Sequence, residues 1–181
     1  MIFVLNYQGK SFVSRVIEAV TWSTYSHTAL CNEDLQTIEA WEGHGGVVST
    51  SPSPWSNHKQ YTPISVYAYC DIHPKQQQKI WEYASKEIGK DYDYRSILGF
   101  LPLLRHWWKD KEDAWFCSHL VAHASKKGGC PLFSPQTPLY KITPGMIDYS
   151  PRLKLLQTVV TPTELSAVTN HWKSVATSFW E

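Results

Sequence analysis

A cysteine, a histidine and a glutamate in this 181-residue chain have the types and settings that acyl chemistry requires. Cys117 opens an apolar-periodic stretch, Cys117, Leu120, Val121 and Ala124, which predicts a helix from Phe116 to about Lys127, closed by Gly128-Gly129. A thiol in the first turn of a helix lies beside backbone N–H groups without intrahelical acceptors, where the dipole favours an anion. That setting raises the thiolate fraction, and the same N–H groups can form an oxyanion hole. Taken alone, a cysteine at a helix start is more often a packing residue.

A thiolate nucleophile also needs a base, and the base needs an orienting group. In TYSHTAL, residues 24–30, His27 interrupts a strand-like run, with Ser26 and Thr28 directed to the opposite face. Glu39 follows across a short hairpin made of Ser26–Cys31, an NEDLQ turn and Thr37–Trp41. A carboxylate opposite or near-opposite an imidazole can fix its tautomer and hold the positive charge that proton uptake creates.

Other candidates read less well. Glu42 competes with Glu39, but pleat parity sends it to the other face of a regular strand. His44 belongs to a Gly-rich loop, and GHGG lacks the Lys and following helix of a phosphate loop. His119 and His123 have the i,i+4 spacing of metal ligands, without the Glu of HExxH or an obvious third ligand. They read as a solvated or hydrogen-bonded helix face, and no metal or organic cofactor is expected.

The elements that must carry these residues alternate between the two periods. IFVLNY suits a first strand, residues 2–7, and Phe12, Val16, Ile17 and Val20 predict a helix over 11–22 with Ser11 as its cap. A short Val47–Val48 strand lies in the Gly-, Ser- and Pro-rich loop that follows the hairpin, and Pro63–Tyr69 alternates as another strand. A helix runs from His73 or Pro74 to about Ile88, stopped by Gly89. KDYDYRSILGF reads as a mobile aromatic segment, and RHWWKDKED as a surface excursion with Trp107 or Trp108 partly exposed near a cleft. Strand-like pieces at Leu139–Ile142 and Leu153–Val160 precede a closing helix from about Thr163. With no repeat and no composition shift, the expected architecture is one α+β domain over 1–181.

Composition narrows the function classes. Hydrophobic residues make up 43 % and charged residues 18 %, a globular balance. The net charge of +1 gives no electrostatic reason to expect nucleic acid or an anionic membrane as partner. No transmembrane segment or signal peptide is legible, which predicts a cytoplasmic protein unless another machine exports it. Cys31, Cys70, Cys117 and Cys130 show neither CxxC pairing nor zinc spacing, so free thiols are expected.

Five stretches carry a resemblance: YSHTAL, TIEAWEGHGGV, GKDYDY, WFCSHLVAHA and ITPGMIDYSPRL. In this order, over roughly residues 20–155, the chain resembles the circularly permuted papain-like branch of the NlpC-type cysteine hydrolases, the YiiX-like group. It is more distantly similar to the lecithin:retinol acyltransferase-like proteins, which share the His-first, Cys-later order. The resemblance implies a central antiparallel sheet packed against the nucleophile helix, with Cys117 as nucleophile, His27 as base and Glu39 as orienting residue. It further implies Tyr92 and Asp93 near the substrate, and Tyr25 lies beside the Ser-His pair near the site mouth. The group usually has Glu two residues after the nucleophile, where this chain has His119. The implied activity is a cysteine peptidase or amidase acting on a peptide, such as a peptidoglycan stem peptide. The alternatives are an acyltransferase or lipid esterase using the same triad, and a catalytically idle binding module.

Overall fold

The computed structural model describes residues 1–10, 12–51, 53–99 and 113–177. In chain order its elements are β1 Ile2–Tyr7, α1 Phe12–Thr21, β2 His27–Asn32, β3 Thr37–Trp41, β4 Gly46–Thr50, β5 Ile64–Tyr69 and α2 Pro74–Lys86. There follow β6 Asp91–Tyr92, α3 Tyr94–Leu98, β7 Ala114–Trp115, α4 Cys117–Lys127, α5 Pro144–Ile147, β8 Leu153–Val159 and α6 Pro162–Thr177. The strands form one eight-stranded sheet in the order β7-β6-β4-β3-β2-β1-β5-β8, a mixed α+β architecture. Its ladders are antiparallel except between β6 and β7, which run parallel.

Strands β1 and β5 are buried at every position, which explains why IFVLNY and ISVYAY carry nearly continuous apolar runs. On one face Val4, Leu30, Ile38 and Tyr67 meet Leu120 and Val121 of α4. On the other, Leu5, Tyr7, Ala29 and Val66 meet Trp55 and Leu165. Helix α4 is the central one, with Cys117 through Ser125 all buried. Its hydroxyls are satisfied internally: Ser118 donates to the Ile142 carbonyl at 2.6 Å, and Ser125 to the Val121 carbonyl at 2.7 Å.

Several expectations need correction. Within KDYDYRSILGF, read as a mobile aromatic segment, Asp91–Tyr92 form β6 and Tyr94–Leu98 form α3. Asp91 pairs with Gly46, where a Cβ would stand 2.3 Å from the Lys90 carbonyl, so only glycine permits the approach. Asp93 then caps α3, accepting from the Ser96 N–H at 3.1 Å. Leu139–Ile142 is not a strand. A 3₁₀ turn, Leu139–Lys141, leads into α5, because Pro138 and Pro144 bracket the segment and proline has no N–H for a ladder. His119 and His123 do not form a solvated face; they are 1 % and 7 % exposed and lie against Trp115 with ring centroids 4.8 and 4.9 Å away. The Ser11 cap and the Trp107-Trp108 excursion lie outside the described residues. Cys31, Cys70, Cys117 and Cys130 are free thiols. No helix among the described residues is long and apolar enough to cross a membrane.

Candidate active site

Strands β2 and β3 are paired at Leu30–Ile38 and Cys31–Thr37, and the ladder ends there. Towards the start of β2 the two strands exchange side-chain bonds instead. His27 and Glu39 are both buried, and His27 Nε2 stands 2.6 Å from Glu39 Oε2. With Nε2 engaged by Glu39, the ring also lies close enough to Cys117 for the thiol to act on its basicity. Burial alone would favour a neutral His27, but Cys117 and the Glu39 carboxylate outweigh it and hold the ring up at about 10.

Cys117 reaches this point because α4 begins with it. Phe116 is the N-cap and supplies no side-chain cap bond, and Cys117 is 3 % exposed. The first-turn N–H groups point out of the helix end, with the positive end of the dipole behind them.

Glu39 is held by more than His27. Asn57 Nδ2 donates to Oε1 at 2.9 Å, the Thr50 hydroxyl reaches the same oxygen at 3.3 Å, and His58 Nε2 lies 3.2 Å from Oε2. Burial would neutralise this carboxyl; the bonds and charges of His27 and His58 hold it well below the ordinary carboxylate range. His58 itself is pushed down by burial, only partly offset by Glu39. Its ring stacks on Tyr7 with centroids 4.0 Å apart and meets Trp41 edge-on at 4.6 Å. Trp41 also contacts His27 edge-on, at 5.1 Å. The two imidazoles therefore share one carboxylate inside an aromatic box.

The sequence reading missed His58, Asn57 and Thr50. WSNHK carries no periodicity, and what places it is Trp55, which is buried and donates through Nε1 to the Thr62 carbonyl at 2.8 Å. The His58 N–H then bonds the Trp55 carbonyl at 2.9 Å, which turns the histidine towards Glu39.

The other predicted residues are more scattered. Tyr92 is buried close enough to Cys117 for the thiol to help raise its phenol, after burial itself. Asp93 is buried and used as the α3 cap. The Tyr25 hydroxyl bonds Ser65 at 3.0 Å and lies 3.2 Å from that of Tyr67, on β5. Glu42 opens a 3₁₀ turn, and His44 at its end contacts Asn57 at 3.2 Å on the exposed side.

No protein-family model matches the sequence, and no curated protein matches it significantly. Among solved structures, the chain is similar to the metalloprotein yiiX of Escherichia coli O157:H7, assigned to DUF1105. The TM-score is 0.67 at 20 % identity, over 88 % of this chain and 97 % of that one. A likeness at that identity is one of fold: the α+β architecture of this protein is yiiX-like.

Proposed function

We propose that the protein is a thiol hydrolase that cleaves an amide bond in a permuted papain-like site, with Cys117 as nucleophile, His27 as base and Glu39 as orienting residue. The observation that carries this reading is one buried imidazole, 2.6 Å from Glu39, that interacts with the thiol opening α4. With the proton already held on the His27 imidazolium, the Cys117 sulfur attacks the carbonyl carbon as a thiolate. The tetrahedral oxyanion is held by first-turn N–H groups of α4. Collapse breaks the C–N bond, His27 returns the proton to the leaving amine, and a thioester remains. Water, deprotonated by His27, then releases the acid and the thiol. Glu39 stays ionised throughout and balances the imidazolium. A peptide, such as a peptidoglycan fragment, is the substrate class that the sequence resemblance suggests.

A second reading is favoured by the His58 geometry. His27 Nε2, Glu39 Oε2 and His58 Nε2 lie within 4.8 Å of one another, and the similar yiiX is described as a metalloprotein. Two imidazoles and a carboxylate suit Zn²⁺, whose ligand atoms at about 2.0–2.2 Å stand roughly 3–3.5 Å apart. The donor set fits: His58 and Glu39 already have that separation at 3.2 Å, and the 2.6 Å contact of His27 would open slightly. These three residues would hold the ion, which would supply Lewis-acid chemistry at the same position.

A panel of peptide amides, lipid esters and muropeptides separates the readings. With a thiol hydrolase, Cys117→Ser abolishes turnover, while chelation and His58→Gln leave most of it. Turnover that survives Cys117→Ser but is lost on chelation, with stoichiometric metal that His58→Gln removes, overturns the thiol mechanism.

A further inference from the structure

A cavity of about 240 Å³ lies between the turn after α1 and the segment around α5, with Trp22, Tyr25, Asp148 and Tyr149 among its walls. Three features give it the character of a ligand site.

The first is its rim. Trp22 is 96 % exposed and Tyr149 82 %, the two extremes among the large exposed hydrophobics of the described residues. Trp22 moreover occupies a left-handed conformation, φ 51°, directly after α1, where the Ser23 N–H returns to the Glu18 carbonyl at 3.1 Å. Glycine is the residue that adopts this helix-ending geometry without strain. A large indole held there, in water, is costly on both counts, which is the pattern of a contact residue.

The second is charge. Asp148 is the one acidic side chain lining the cavity among the described residues, and no basic side chain lines it there. The buried Tyr67 hydroxyl donates to Asp148 Oδ1 at 2.6 Å, with the Tyr25 hydroxyl beside it, so the carboxylate is held from below. A carboxylate anchored in a cavity that exposed aromatic residues also line can attract a cation through its charge and through the ring quadrupoles.

The third is position. The Ile142 carbonyl accepts from Ser118, the neighbour of Cys117. The Pro144 carbonyl accepts from the Asn6 side-chain Nδ2, and Asn6 Oδ1 in turn accepts from the Thr28 hydroxyl beside His27. One wall is thus tied to the neighbours of both Cys117 and His27. The two walls also close tightly on each other, since a Cβ on Gly145 would stand 2.3 Å from Ser23 Oγ.

We propose that this cavity binds an ammonium group, with Asp148 as counter-charge and Trp22 and Tyr149 as its aromatic rim. Resting on the thiol-hydrolase reading, the ammonium belongs to the substrate and fixes the position of the scissile carbonyl relative to Cys117.

The test titrates the full chain with alaninamide, N-acetyl-alaninamide and choline, following tryptophan fluorescence and calorimetry. Alaninamide or choline should bind at least about tenfold tighter than the acetylated amide, and whichever wins separates a primary amine from a quaternary headgroup. Asp148→Asn, whose amide oxygen still accepts from Tyr67, should erase the preference. Trp22→Ala, at an exposed position with no packing to lose, should weaken both cations several-fold. Equal binding of the cationic and acetylated probes, or an undiminished preference in Asp148→Asn, overturns the site. Alkylation of Cys117 by iodoacetamide in the same samples reports on the hydrolase reading separately. A sluggish Cys117 beside an intact ammonium preference would defeat that reading and leave the cavity assignment standing.

Discussion

His27 and Glu39 are joined at 2.6 Å at the level where the strands that carry them have ceased to pair through their backbones. Where the ladder ends, the imidazole takes the carboxylate on β3 as its partner and interacts with the thiol at the head of α4.

Removing the charge at Glu39 should therefore damage both stability and chemistry. In Glu39→Gln the shape is kept, but one oxygen becomes a donor facing His27, His58, Asn57 or Thr50. A loss of about 3–5 kcal/mol in denaturant unfolding is expected, as for other buried ion pairs that lose one partner. Turnover should fall by about 10²–10⁴, because the imidazolium is no longer held. A variant of wild-type stability would show that the pair is not ionised.

Thiol labelling gives the most direct reading of Cys117. Burial pushes Cys31 up to about 12 and also raises Cys130, so neither should react at neutral pH. Iodoacetamide followed by peptide mass mapping should modify Cys117 first, and His27→Ala should slow it at least about tenfold. Preferential labelling of Cys70, with Cys117 silent, would falsify the nucleophile assignment.

The pair also sets a pH signature. His27 is raised from 6.5 to about 10, so its contribution to stability is complete below pH 6.5 and is lost as pH rises through about 10. Glu39 is lowered from 4.5, so its contribution is present above pH 4.5 and lost as pH falls below it. His58 is lowered from 6.5, which adds a loss on the acid side, where the unfolded ring takes up a proton that the folded one resists. The melting temperature should fall towards both extremes, and His27→Gln should flatten the alkaline limb. Alkaline limbs of equal steepness in the two proteins would break the link to this histidine.

Trp115, two positions before Cys117, donates from Nε1 to Glu87 at 2.7 Å, and Glu87 also pairs with Lys90 at 2.6 Å. Trp115→Phe leaves a buried carboxylate short of one donor, at a cost of about 1–3 kcal/mol. Urea unfolding should show the loss with an unchanged slope. No loss would mean that Lys90 satisfies Glu87 alone.

Most elements were legible because they rest on local rules. Short apolar or alternating runs marked β1, β2, β3, β5 and β8, helical spacing marked α1, α2 and α4, and the start of α4 at Cys117 followed from where the apolar period begins. His27 and Glu39 could be matched because a hairpin brings its two strands together whatever the rest of the chain does. The ring of donors around Glu39 could not be read in that way. His58 and Asn57 lie in an aperiodic loop, and only the burial of Trp55 against the sheet turns that loop onto the carboxylate. Solvation of His119 and His123 was misjudged for a related reason: their spacing is that of any helix face, and it is packing at the centre of the fold that buries α4 from Cys117 to Ser125. Sequence by itself determines which groups are able to do chemistry and which local element holds each one. Which of them share a hydrogen bond is decided by long-range packing, because contacts between distant segments leave no periodic trace in the chain.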